Sequence, residues 1–596
     1  MNYFRDLVAR TCVALAFPVM AAAQTTPHPT FAHDIAPVFY QYCSSCHRPA
    51  GPAPFSLLTY EDAKLHAQQI VSAVRDRSMP PWLPEPGHGD FIDERSLSDI
   101  QIHLIVDWVE NGLPQGPPSE IPPPPHFAEG WQLGPPDMIL EAAQPFSLPT
   151  SGSDVFWNFI FSPSLKATRY VRAIEIHPGN ARAIHHANLL IDRTHSARRQ
   201  EAQPGAGFPG MELTLARNPF DFPSHFLFWK PGSTPWVEPD GLSWRLDPGN
   251  DLILNAHLMA MNMPMQVQPS IGLYFTDKPP DRFPMLIQLE HDGALDIPAG
   301  DRDVVVSDDF RLPLDAEVLA VYPHAHYLGH VLEGYATLPS GERKWLIRIP
   351  AWDPKWQAVY HYREPIFLPK DSIISMRWHY DNSAASPRNP NHPPRRVKSG
   401  NDSTDEMGHL WLQLVPHGPG DPRRELAEAV ARHRLEKYPD DPSAHVLLGA
   451  LMLARLDPAG AIAELESAVR LAPKQSEARN WLGVSLEAVG RLPEAVAEFR
   501  RALELDPDYA DASYNLAKAL VRSGQFDEAR RYFALAVAAY PQDAEVRCDF
   551  GELLLRIGKP AEALEQFNQA LAVDPSHQAA RSDRDLAMQQ LAARQP

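Results

Sequence analysis

The chain has 596 residues, 44% of them hydrophobic, with 62 prolines and a formal net charge of −20. A length several times that at which one core stops growing implies three or four domains, and the apolar content excludes a wholly disordered chain. The negative charge excludes a general nucleic-acid binder, because a phosphate backbone would be repelled.

Residues 1–23 read as a secretory signal peptide: Arg5 and Arg10 precede a short apolar core, and Ala21, Ala22 and Ala23 form a small-residue cleavage site. The apolar run is shorter than the ~20 residues a bilayer span needs, and no later stretch qualifies. A periplasmic or secreted protein without a transmembrane span is expected. With Cys12 in the signal, Cys43, Cys46 and Cys548 remain, too few for a disulfide scaffold.

Residues 30–115 show helical periodicity, with Ala63, Ala67, Ile70 and Val74 on one face. Cys43-Ser44-Ser45-Cys46-His47 is the c-type haem attachment pattern: two thiols add across the haem vinyl groups and the next residue supplies an axial imidazole. A zinc half-site would need two more ligands nearby, and a redox dithiol would need a βαβ setting; the sequence offers neither. Met79, in the proline-fixed loop Ser78-Met79-Pro80-Pro81-Trp82, is the expected opposite ligand, with His66, His88 and His103 as alternatives. The expectation is an α-helical cytochrome c domain with one covalent haem c. Residues 116–137 follow as a proline-rich linker.

Between 138 and 416, short alternating or apolar runs are separated by Gly, Pro, Asn and Asp clusters, which predicts two β-sandwiches, 138–290 and 291–416. Each strand-like run holds histidine: His185 and His186, then His257, then His324 and His326, with Met407 downstream. His324 and His326 are two residues apart and share a strand face. His185 and His186 are adjacent, so serving one metal requires a bulge or bend there. Imidazoles joined by a thioether suit copper cycling between Cu(II) and Cu(I).

Residues 424–596 repeat. Pro439, Pro473, Pro507, Pro541 and Pro575 recur every 34 residues, and Gly449, Gly483, Ala517 and Gly551 keep the same interval. This is the tetratricopeptide period, predicting an α-solenoid of four full repeats, a partial one before Pro439 and a capping helix after Pro575. Its concave face should dock a protein partner, and the piece should fold by itself.

The order and setting of the histidines resemble the copper type II, ascorbate-dependent monooxygenases, the family of peptidylglycine α-hydroxylating monooxygenase and dopamine β-monooxygenase. The resemblance spans roughly residues 140–415 and includes Trp229-Lys230-Pro231-Gly232, Leu252 through His257, Pro323-His324-Ala325-His326-Tyr327-Leu328-Gly329, Tyr380-Asp381-Asn382-Ser383 and Asp405-Glu406-Met407. It implies two jelly-roll-like β-domains with one copper each. His185, His186 and His257 would hold the electron-storing ion; His324, His326 and Met407 would form the catalytic set, where oxygen binds and a C–H bond is hydroxylated. The chain departs from the peptide-amidating branch at Tyr322, His409 and Trp411, which stand where that branch clamps a peptide carboxylate, and it lacks the family's disulfides. The resemblance therefore implies an exported copper- and haem-dependent monooxygenase that uses O2 on an unknown small-molecule or peptide substrate. An external donor would feed the fused haem, which would supply the coppers. The alternative is a non-catalytic periplasmic electron-transfer or copper-handling protein, or a tetratricopeptide scaffold with redox-sensing domains.

Overall fold

The computed structural model describes residues 28–593, apart from 50, 129, 151–153, 181, 212, 214, 216–219, 260–262 and 403. The expected signal peptide lies outside the described residues. The chain divides into two units, Met1–Pro80 with Arg95–His126 and Pro81–Glu94 with Phe127–Pro596.

The first unit is helical. A π-helical turn, Phe31–Ile35, leads into α1 (Ala36–Tyr42), followed by α2 (Tyr60–Leu65), α3 (Ala67–Arg75) and α4 (Asp99–Glu110). Thr59 caps α2 through the Asp62 N–H, and Ser98 with Gln101 forms a capping box at α4. Ile70, Val71 and Val74 of α3 join Phe31, Phe39, Ile105 and Trp108 in one core. Residues 81–94, assigned above to this domain, belong instead to the second unit. Trp82 and Phe91 each pack 5.3 Å from the Tyr360 ring, and the Ile92 N–H donates to the His361 carbonyl. Two large apolar side chains in a segment otherwise rich in Gly, Pro and acids find their burial there. The expected linker 116–137 is likewise no free spacer. Ile121 packs on the helical core, whereas Trp131 stacks on His177 at 3.8 Å and the Gln132 and Leu133 N–H groups bind Glu175.

In the second unit every ladder between strands is antiparallel among the described residues. A five-stranded sheet, ordered Phe208–Pro209, Val155–Phe161, Asp251–Leu258, Ile184–Asp192, Phe228–Trp229, shares one apolar core with a four-stranded sheet, Met138–Glu141, Ser270–Thr276, Arg169–His177, Trp244–Leu246. A second pair of sheets follows. One is ordered Met285–Glu290, Gly408–Pro416, Ala316–Ala325, Tyr360–Leu368 and the other Val304–Arg311, Ile373–Tyr380, Gly329–Thr337, Arg343–Ile349. Strand Met285–Glu290 thus pairs with Gly408–Pro416, which moves the expected boundary at 290 back into the proline-bearing loop before Met285. No helix is long and apolar enough to cross a membrane among the described residues.

Helices α5 (Arg423–Lys437), α6 (Pro442–Ala454), α7 (Pro458–Leu471), α8 (Ser476–Ala488), α9 (Leu492–Leu505), α10 (Ala510–Arg522), α11 (Phe526–Ala539), α12 (Ala544–Arg556), α13 (Pro560–Val573) and α14 (Gln578–Ala592) complete the unit. The repeat glycines act as the spacing implied. A Cβ at Gly449, Gly483 or Gly551 would lie 2.6, 2.6 or 2.5 Å from the side chain of Leu465, Phe499 or Phe567 on the neighbouring helix.

The first solenoid helices also pack into the second sheet pair, a contact the repeat period does not foretell. Leu426 and Ala427 of α5 and Leu451 of α6 are buried in the core of the second sheet pair. Buried carboxylates on that sheet pair find their partners on α5. His433 Nε2 and Lys437 Nζ lie 2.8 and 2.7 Å from Asp308, and Arg434 lies 3.0 Å from Glu290, which also accepts from Tyr438 Oη at 2.8 Å. Burial alone would raise the Asp308 carboxyl, but His433 and Lys437 outweigh it and hold it at about 2. The carboxyl's folded value lies below its unfolded ~3.9, so its stabilisation is complete above about pH 4 and is lost as pH falls through 2. Asp308→Ala should cost about 3 kcal/mol in denaturant unfolding at neutral pH and flatten the stability loss between pH 4 and 2. An unchanged acid profile in the variant would show that this cluster does not fasten the helix.

Candidate functional site

In the first unit, Cys43 ends α1, and the Cys46 and His47 N–H groups both return to the Cys43 carbonyl, at 3.2 and 2.9 Å. That helical turn presents two unbridged thiols one turn apart. Burial pushes the Cys43 thiol up to about 12, the reverse of the lowered value that makes a redox dithiol reactive. His47 Nδ1 donates to the Phe55 carbonyl at 3.1 Å, which leaves the Nε2 lone pair for a metal. Burial lowers the His47 value and keeps the ring neutral. These groups fit a covalent haem. Met79 sits in the loop closing α3, its N–H on the Ala73 carbonyl. Of the alternatives, His66 stacks on Phe55 at 3.8 Å, and His103 is exposed with Nδ1 on the Asp99 carbonyl. His88 lies edge-on to Trp345 in the second unit, outside the helical core.

In the second unit, strands Ile184–Asp192 and Asp251–Leu258 pair with His186 opposite His257. The register slips between Ile184 and His186, so His185 is the bulged residue and its ring turns to the same face. The three ring centroids form a nearly equilateral triangle with sides of 5.1, 5.1 and 5.0 Å. His185 Nδ1 lies 3.3 Å from both His186 Nδ1 and His257 Nδ1, and the three residues each offer a ligand atom within 4.8 Å of the others. A tetrahedral metal at ~2.0 Å from each nitrogen places such nitrogens ~3.3 Å apart. The outward nitrogens are anchored. His257 Nε2 lies 3.1 Å from the Asp154 carboxylate, and His185 Nε2 lies 3.2 Å from the Lys355 carbonyl. Phe156 stacks on His257 at 4.4 Å and Phe228 on His186 at 5.7 Å. Burial, reinforced by the neighbouring rings, holds His186 well below its usual range and His257 at about 4, so the rings stay in the neutral form that binds metal.

His324 is the penultimate residue of strand Ala316–Ala325 and His326 directly follows the strand, with ring centroids 5.4 Å apart. Each Nδ1–H is committed, His324 to Gln357 Oε1 at 2.8 Å and His326 to the Asp405 carbonyl at 3.1 Å, which leaves both Nε2 lone pairs available to a metal. Burial brings His324 down to about 3. The loop is pinned from several sides. The fully buried Glu406 carboxylate accepts from the backbone N–H groups of His326, Leu328 and Met407. Trp378 Nε1 donates to the His324 carbonyl at 3.0 Å, Trp352 Nε1 to that of His326 at 3.1 Å, and Tyr380 Oη to that of Met407 at 2.8 Å. Met407 precedes Gly408, which is in register with Ala325. The fold thus brings Met407 beside His326 through a shared carboxylate.

Sequence reasoning missed Asp154, Gln357 and Glu406, whose roles depend on partners far along the chain. It noted His409 only as a departure, yet this ring lies 5.9 Å from His324, its Nε2 3.0 Å from Asp292. A second candidate cluster, Cys548, Glu552 and Asp583, lies in the solenoid, where burial and surrounding acids push the Cys548 thiol up to about 12.

Tetratricopeptide-repeat family profiles match residues 486–548, 451–510 and 548–584. The C-terminal helices are therefore tetratricopeptide repeats, an architecture whose extended concave face serves protein docking. No curated protein matches the chain. Similar solved structures include YrrB, titled a tetratricopeptide protein with an unusual peptide-binding site (23% identity, 27% of this chain, 84% of that one, TM-score 0.25). MamA is 23% identical over 27% of this chain and 97% of its own, with TM-score 0.24. A thermophilic tetratricopeptide protein of Thermus thermophilus is 23% identical over 28% of this chain and 91% of its own, with TM-score 0.25.

Proposed function

We propose that this chain is a copper- and haem-dependent monooxygenase whose tetratricopeptide solenoid holds it to a protein partner. The observation that supports this most is the approach of His185 Nδ1 to within 3.3 Å of both His186 Nδ1 and His257 Nδ1, a spacing that suits nitrogens sharing one metal. The set His324, His326 and Met407, with a thioether, is the softer one, as copper in its reduced state prefers. When bound, copper would supply the one-electron steps of a hydroxylation that consumes one oxygen molecule, two electrons and two protons per hydroxyl formed.

The chain's own residues do the rest. Asp154, Lys355, Gln357 and Asp405 orient the imidazoles. Burial keeps those rings neutral, and Glu406 fixes the loop that brings His326 to Met407. Cys43, Cys46 and His47 would hold the haem, with Met79 the proposed second axial ligand and an external donor as its source of electrons. The domain limits follow: a cytochrome c unit before residue 127 without 81–94, and two copper-binding sheet pairs up to residue 416.

A second reading keeps the metals but no turnover, in a scaffold that docks partners; the family matches, which lie in the repeats, favour it. Oxygen uptake by full-length, copper-loaded protein given ascorbate separates the two. The monooxygenase reading predicts reductant-dependent uptake that His324→Ala removes; metal binding without uptake would leave the scaffold.

A further inference from the structure

Residues 34 apart occupy equivalent places in the solenoid, so its helix crossings can be compared position by position. Between α8 and α10, Asn515 Nδ2 donates to Asn480 Oδ1 at 3.0 Å. One repeat on, between α10 and α12, Tyr514 Oη donates to the Asp549 carboxylate at 2.6 Å, and Lys518 Nζ lies 3.7 Å from it. Both crossings match donors to acceptors. The next, between α12 and α14, puts Cys548, Glu552 and Asp583 in the places of Tyr514, Lys518 and Asp549. A carboxylate stands where the ammonium stood, so this crossing holds two acids and a thiol.

The three side chains converge nonetheless. Their ligand atoms all lie within 4.8 Å of one another. Cys548 is 2% exposed, unbridged and without a hydrogen bond among the described residues. Neither Glu552 nor Asp583 has an ion pair among those residues, and burial raises both carboxyls, with Asp549 and Asp583 adding to the effect on Glu552. A dication reverses this balance: it is attracted by the same acids and strips the proton from a thiol that coordinates it. Ligand atoms around a tetrahedral zinc stand roughly 3.5 Å apart, a closure that the exposed Glu552 side chain can make by changing rotamer. The capping helix α14 needs such a tie. It buries Ala580 and Ala587, small side chains, while Leu586 and Met588 stay exposed.

We propose that Cys548, Glu552 and Asp583 form a zinc site that staples α14 to α12. Cys548 and Glu552, four apart, share one face of α12, and Asp583 closes the set from α14. One soft sulfur with two carboxylate oxygens suits Zn2+, and three protein ligands leave the fourth tetrahedral position to water. Binding releases the thiol proton to solvent and changes no oxidation state. The site uses no histidine of the copper reading and is independent of it.

The test uses the full-length protein and Co(II), a substitute for zinc that shows a thiolate-to-cobalt charge-transfer band where sulfur is bound. The difference between wild type and Cys548→Ser should contain that band, and added Zn2+ should abolish it. Glu552→Gln and Asp583→Asn should each weaken Co(II) binding by at least the ~10-fold that losing even an outer partner of a metal site costs. Zinc should also raise the thermal melt of the wild-type helices more than that of Glu552→Gln. Glu552 is exposed, so this variant keeps the fold and carries the test if Cys548→Ser does not fold. A wild-type protein without the band would overturn the site. So would a band whose Co(II) dependence is unchanged in both carboxylate variants, because the thiol would then bind metal without them.

Discussion

Replacing His257 with alanine should leave one bound copper ion where the wild type should hold two. The strand register sets His257 against His186, and the bulge at His185 brings the third ring to them. Removing His257 leaves two adjacent imidazoles without the ligand that closes the triangle, so the site should fail at concentrations that fill the other. The neighbouring set draws on different strands and a different carboxylate, Glu406, and should keep its ion. The variant should remain folded, with a stability change of about 1 kcal/mol, because His257 lies at the end of its strand and its loss removes mainly the stack on Phe156. Copper titration with a parallel thermal melt checks both statements. Loss of both ions without unfolding would mean that the two sets do not bind separately.

Replacing both Cys43 and Cys46 with alanine should abolish covalently attached haem, and each single change should reduce it. Thioether bonds survive denaturation, so haem-stained denaturing electrophoresis reads only covalent attachment. The turn that holds these thiols is built by backbone hydrogen bonds to the Cys43 carbonyl, which alanine preserves. His47 keeps its Phe55 contact in either variant, so axial ligation alone could retain haem only in native conditions. An unstained wild-type band from a host that attaches haem would contradict the reading; equal staining of the double variant would place attachment elsewhere.

The parts legible in the sequence were those with short-range grammar. The 34-residue spacing exposed the repeats because each glycine faces a bulky residue one helix later, as Gly483 faces Phe499. The adjacent pair His185 and His186 demanded a backbone irregularity, and the register slip lies there. What stayed hidden depended on distant partners. Phe91 looks like a stray aromatic in a Gly- and Asp-rich loop until Tyr360 and Tyr362 surround it. Strand Met285–Glu290 reads as the end of one sheet pair because nothing local shows that its partner is Gly408–Pro416. Asp308 and Glu290 look like surface acids, and only the cations of α5, more than 120 residues on, explain their burial. Gln357 had no local signal at all: a glutamine in a loop acquires meaning only from His324, which its oxygen orients.

The proposed monooxygenase would carry two separate copper sites and one haem in a single chain. The most direct test is metal analysis of full-length protein purified without added metal from a host competent in haem attachment, combined with copper-edge X-ray absorption. Such a protein should bring two copper ions and one iron per chain, with nitrogen donors at ~2.0 Å and a sulfur contribution from one of the two sites. Zinc in both histidine sets, or no metal there at all, would contradict it.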